Sequence, residues 1–120
     1  MEYKSTDKYG NKYWYKDPEM KILHREDGPA IEYASGTKEW YRGGLLHRKD
    51  GPAIEVPNGT KIWCLDGKNH REDGPAIEWF DGNKSWWLFD AKYTKEQYEE
   101  IAPLLSTEEG RTFVKLKYGI

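Results

Sequence analysis

The sequence predicts a mostly β protein: an elongated antiparallel sheet of repeated β-hairpins, with a C-terminal helix and short strand as its cap. Three observations predict it. The block His24-Arg25-Glu26-Asp27-Gly28-Pro29-Ala30-Ile31-Glu32 returns as His47-Arg48-Lys49-Asp50-Gly51-Pro52-Ala53-Ile54-Glu55 and as His70-Arg71-Glu72-Asp73-Gly74-Pro75-Ala76-Ile77-Glu78, 23 residues apart both times. A second block, Gly-x-Lys-x-Trp, alternates with it and ends at Trp14, Trp40, Trp63 and Trp86. Turn dipeptides separate the β-prone runs at Ser35-Gly36, Asn58-Gly59 and Asp81-Gly82, with a second set at Gly43-Gly44 and Asp66-Gly67. A fixed period of this length marks an array in which each unit buries its apolar surface only against its neighbours.

Taken in order, the first 23 residues read as half a unit. Asp17-Pro18-Glu19 lengthens the gap between Trp14 and His24 and implies a longer turn. Pro29, Pro52 and Pro75 cannot donate to a ladder, so they stand at strand starts or bulges. Side chains alternate across a strand, which puts Lys38 with Trp40, Lys61 with Trp63 and Lys84 with Trp86 on a face that repeats. Tyr33, Tyr41, Trp79 and Trp87 fall where the units differ. After Trp87 the pattern stops. Thr94-Lys95-Glu96-Gln97 has the form of a capping box, followed by Tyr98, Ile101, Leu104 and Leu105 at helical spacing. The expected helix covers 95–102 and ends or kinks at Pro103; 106–111 reads as loop, and 112–118 alternates like a last strand. The array thus occupies 1–90, about three and a half units, and the helix-strand cap 91–120.

Composition narrows the function. Only 37% of the chain is apolar, yet 15% is aromatic, which suits a thin sheet whose burial rests on large rings. With 19 basic and 21 acidic residues interleaved, no basic block offers a footprint for duplex nucleic acid or an anionic membrane. No apolar run approaches the roughly 20 residues of a membrane-spanning helix. Met1-Glu2-Tyr3-Lys4 lacks the order of a signal peptide, and a lone Cys64 forms no internal disulfide. The expectation is a soluble protein of a reducing cytoplasm.

A 23-residue hairpin unit carrying Trp, then Gly, then His resembles the MORN repeat over roughly residues 10–90. Where the usual MORN unit has His-Gly-x-Gly, this chain has His-Arg-x-Asp-Gly-Pro-Ala, a variant similar to repeats in small phage and viral proteins. The resemblance implies an elongated antiparallel sheet that serves as a binding or oligomerisation platform. It further implies a non-enzymatic phage or viral accessory protein in the host cytoplasm, which binds and inhibits or sequesters a host defence factor through one face.

His-Arg-x-Asp could supply a base, a clamp and an orienting carboxylate, so a hydrolase or phosphodiesterase is the alternative, with a purely structural oligomer as a third. Recurrence once per unit favours scaffolding for His24, Asp27, Trp40, His47, Asp50, Trp63, His70, Asp73 and Trp86. In that role Asp27, Asp50 and Asp73 cap the following Gly-Pro turn, the histidines pack on the tryptophans, and Arg25, Arg48 and Arg71 pair with those Asp residues or with Glu32, Glu55 and Glu78. Successive histidines lie about two strand spacings, roughly 10 Å, apart, too far to share one zinc ion. No metal, cofactor or catalytic residue is therefore assigned. The binding candidates are Tyr33, Tyr41, Trp79 and Trp87, with Arg25, Arg48 and Arg71 for a small anionic ligand; the expected partner is a host protein or such a ligand, and a homodimer would also use the aromatic face.

Overall fold

The structure, a computed structural model, describes residues 2–120 and is the expected hairpin sheet. Met1, where the 1–90 range opens, lies outside the described residues. The first hairpin is β1 (Tyr3–Thr6) and β2 (Lys12–Tyr15). One unit then supplies β3 (Ile31–Glu32), β4 (Lys38–Glu39), β5 (Tyr41–Arg42) and β6 (Leu45–Leu46). The next supplies β7 (Ile54–Glu55), β8 (Lys61–Ile62), β9 (Cys64–Leu65) and β10 (Lys68–Asn69). The last has β11 (Ile77–Glu78), β12 (Lys84–Leu88) and β13 (Ala91–Tyr93). Nine of these strands form one sheet in the order β1-β2-β3-β4-β7-β8-β11-β12-β13, and β5–β6 and β9–β10 stand beside it as separate hairpins.

Strands of two residues need help from their turns. At Tyr33–Thr37 the N–H of Gly36 reaches back to the Tyr33 carbonyl, and Tyr33 N–H closes on Thr37. The same pair of bonds recurs at Val56–Thr60 and Trp79–Asn83. The glycine takes φ of +99°, +102° and +89° in the three turns, a left-handed position where a side chain would be strained. The second set of turns has positive φ at both central residues, Gly43-Gly44, Asp66-Gly67 and Phe89-Asp90, the twist that matches paired strands. The longer first turn is organised by Asp17, whose carboxylate accepts from the N–H groups of Lys21 and Ile22.

Register sorts the two faces. Across seven strands, Lys12, Glu32, Lys38, Glu55, Lys61, Glu78 and Lys84 stand directly opposite one another in turn, an alternating row of charge. Tyr13, Ile31, Glu39, Ile54, Ile62, Ile77 and Ser85 form the matching row on the other face. A slip of one residue would put isoleucine in the charged row, so the register is strongly specified.

The end of the chain is all helical. Thr94 caps α1 (Lys95–Ile101) by the full capping box with Gln97, as expected. At Pro103 the chain tightens into a 3-10 turn, Ala102–Ser106. The expected final strand over 112–118 is instead part of α2 (Glu108–Tyr118). Thr107 caps its start, Glu108 and Glu109 lie in its first turn, Lys115 and Lys117 in its last, and Gly119 ends it at φ +76°. Charges and caps in those places favour a helix more than seven alternating residues favour a strand. Leu88, Tyr98, Ile101, Ala102, Leu105 and Val114 bury one another here, with Trp86 and Tyr93 packed alongside.

Gly110 is where α2 meets the 3-10 turn, and a Cβ there would sit 1.8 Å from the Leu104 carbonyl oxygen. Gly110→Ala should therefore destabilise the protein by about 2 kcal/mol or more. Leu116→Lys, at a position 83% exposed, should stay within about 0.5 kcal/mol. Urea unfolding of both variants checks the pair.

Candidate functional site

On the charged face each unit builds the same clamp. The guanidinium of Arg25 lies 3.9 Å from the ring centre of Trp14, and Arg48 and Arg71 lie 3.8 Å from Trp40 and Trp63. Each arginine also donates to the proline carbonyl four residues on, at 3.1–3.2 Å. It pairs with the Asp two residues on and with Glu32, Glu55 or Glu78. The glycine of each Asp-Gly-Pro makes room for this fold-back: a Cβ on Gly51 or Gly74 would stand 2.9 Å from the arginine's central carbon.

Two roles differ from the expected ones. Asp27, Asp50 and Asp73 hold arginine side chains, and no described backbone N–H donates to them. Arginine, not histidine, covers the tryptophan. The histidines tie each block to its hairpin turn: Nδ1 of His24, His47 and His70 accepts the N–H of Gly43, Asp66 and Phe89, each 19 residues on, at 2.9–3.0 Å. With Nδ1 accepting, the ring proton sits on Nε2. His24 and His70 donate it to Glu26 and Glu72 at 2.6 and 2.8 Å. The hydrogen bond from His24, then the charge of Arg42, holds the Glu26 carboxyl below its ordinary range. All nine expected scaffold residues except Trp86 belong to these clamps and joints; Trp86 meets Lys95 and the helical core instead. No group of three or more His, Cys, Asp or Glu among the described residues could hold a metal ion.

The other face carries the residues that vary. Tyr41 donates to Glu39 and Trp87 to Ser85, each at 2.8 Å, so both side chains reach members of the isoleucine row. Burial, then that bond to Glu39, raises the Tyr41 hydroxyl far above its ordinary range. Burial likewise raises Tyr33. Trp79 remains 39% exposed and its neighbour Phe80 65%. None of Tyr33, Tyr41, Trp79 and Trp87 joins the helical core, whose sheet contribution is Trp86, Leu88 and Tyr93. Phe80 belongs with these aromatics but escaped the sequence reading; it occupies the turn position of Ala34 and Pro57 in the earlier units, where a large apolar side chain is the signal.

No helix is long and apolar enough to cross a membrane among the described residues. No family model, curated protein or solved structure matches the chain. The likeness to MORN repeats rests on the repeated residues alone.

Two measurements follow from these contacts. Arg48→Lys keeps the charge but loses the fork and the stack, and should cost about 1–2 kcal/mol in equilibrium unfolding. Cys64 is buried on the varied face, and burial pushes its thiol from 9.0 to about 11. The unfolded chain then ionises first as the solution becomes alkaline. Stability contributed by the neutral thiol should be intact below pH 9 and lost as pH rises toward 11, and Cys64→Ala should flatten that part of the stability–pH curve.

Proposed function

We propose that this is a non-enzymatic binding protein, which docks a partner protein on the face carrying Tyr33, Tyr41, Trp79 and Trp87, with Phe80 at its rim. One observation carries the reading: these aromatic side chains stay half-buried or exposed while the helices pack elsewhere. Partly exposed Trp and Tyr on a rigid sheet offer large contact area at small entropic cost, the makings of an interface hot spot. The internal pairing of the His-Arg-Asp blocks supports a scaffolding role for them and gives a hydrolytic reading no observation of its own. A partner of host origin, inhibited or sequestered by occlusion, is the form of this function that the repeat motif suggests. A second copy of the chain would use the same surface.

Affinity capture with the wild-type chain and with a folded Trp79→Ala/Phe80→Ala variant tests the reading. A partner held by the wild type should be weakened at least tenfold by the double change, about 1.4 kcal/mol or more. Equal retention by both baits would sink the aromatic docking face. Light scattering across concentration separates a foreign partner from a second copy.

A further inference from the structure

The clamps are alike in three units, but one unit departs from the others where it matters electrostatically. Between successive His-Arg-x-Asp-Gly-Pro-Ala turns run clefts, of about 540 Å³ beneath His47 and about 720 Å³ beneath His70. In the first and third blocks the residue two after histidine is glutamate, and it takes the ring's Nε2–H. In the second block that residue is Lys49. His47 Nε2 therefore has no partner among the described residues, and neither has Lys49. Asp66 meets the ring at Nδ1, by its backbone N–H at 3.0 Å and its carboxylate at 3.2 Å, and the N–H that Nδ1 accepts places the proton of the ring on Nε2.

The His47 cleft is lined by Arg25, Arg42, Arg48 and Lys49 against Glu26, Asp27 and Asp50, four positive charges to three negative. Arg25 and Arg48 are consumed by their clamps. Arg42, half-exposed, has only a 3.3 Å pair with Glu26. The donors left facing the cleft are thus His47 Nε2–H, the Lys49 ammonium and part of the Arg42 guanidinium. The His70 cleft is balanced, with Arg48, Lys49 and Arg71 against Asp50, Glu72 and Asp73, and its histidine is already bonded.

We infer that the His47 cleft is a binding site for a phosphate-bearing small molecule, held by His47, Lys49 and Arg42. A ring N–H, an ammonium and a guanidinium lining one cleft match an oxyanion with several acceptor atoms. The cleft is larger than the anion itself and in the range of small-ligand sites, with Trp40 in its wall to meet the rest of the molecule. This site lies on the repeated face and stands or falls independently of the aromatic docking face.

The repeat supplies its own controls. Lys49→Glu gives the second block the residue that its sister blocks already tolerate, and Glu72→Lys gives the third block the free histidine of the second. Inorganic phosphate is titrated against each folded protein by ¹H–¹⁵N NMR, with acetate at matched ionic strength as the carboxylate arm. The expected result is saturable phosphate binding that perturbs His47 and Lys49 and exceeds that of acetate. Lys49→Glu should weaken it about tenfold or more, and Glu72→Lys should add a second site at His70. Should Lys49→Glu fail to fold by circular dichroism, Lys49→Gln replaces it. Unchanged phosphate affinity in the Lys49 variant, no saturation in the wild type, or equal binding of acetate would each overturn the assignment.

Discussion

The guanidinium laid on a tryptophan 3.8–3.9 Å away is the contact on which the array rests. A strand of two residues buries too little to hold itself, and a sheet one layer thick has no second layer to lean on. The stacked pair compensates by gathering a unit's other parts around one rigid plane. From that plane the arginine reaches its own turn through the proline carbonyl, its own Asp, and a Glu of the charged row. Close approach is possible only because the turn carries a glycine. Arg, Asp, Gly and Pro of the motif thus answer to one geometry, and their recurrence needs no catalytic explanation.

The histidine joints then set how each block meets the hairpin that follows it. Each ring takes a backbone N–H from the hairpin turn 19 residues on. In the last unit the acceptor geometry persists although the turn is Phe89-Asp90, a bulky residue at φ +51°. The ring of Phe89 lies 4.3 Å from His70, a contact that offsets part of the left-handed strain. Beyond this point Tyr98 donates to the Arg71 carbonyl and accepts from Gly74 N–H, so a helical side chain closes the third turn. In the third block a hydroxyl on the helix thus occupies the two polar groups of the turn.

Much of this was legible in the chain. The period, the hairpin positions and the Thr94 capping box follow from residue types alone, because glycine, proline and threonine act locally. Strand parity correctly kept Lys and Trp apart from the varying aromatics. It could not show that the repeated isoleucines share the face of Tyr41 and Trp87, which depends on cross-strand register. Nor could it choose between arginine and histidine as the partner of tryptophan, since both sit within reach and only three-dimensional placement decides. At Thr112–Tyr118 the residues alternate as in a strand, and it is the start signals upstream of them, at Thr107–Glu109, that make the segment helical. The Lys49 departure was visible as a letter, but its meaning required knowing that glutamate at that position bonds a ring nitrogen.

The reach of the joints has a kinetic consequence. The bonds that tie a block to its hairpin, made by the arginine N–H and by the two N–H groups of the turn, span 16–21 residues of chain: Arg25 to Tyr41, Gly43 to His24, Gly44 to Leu23. Contacts this short in sequence cost little loop entropy, so the sheet can close stepwise without first bringing its distant ends together. The buried cluster around Leu88 and Val114 is local too, drawn from residues between 86 and 120. That places a natural nucleus at the C-terminal end, from which the hairpins zip toward the N-terminus one unit at a time.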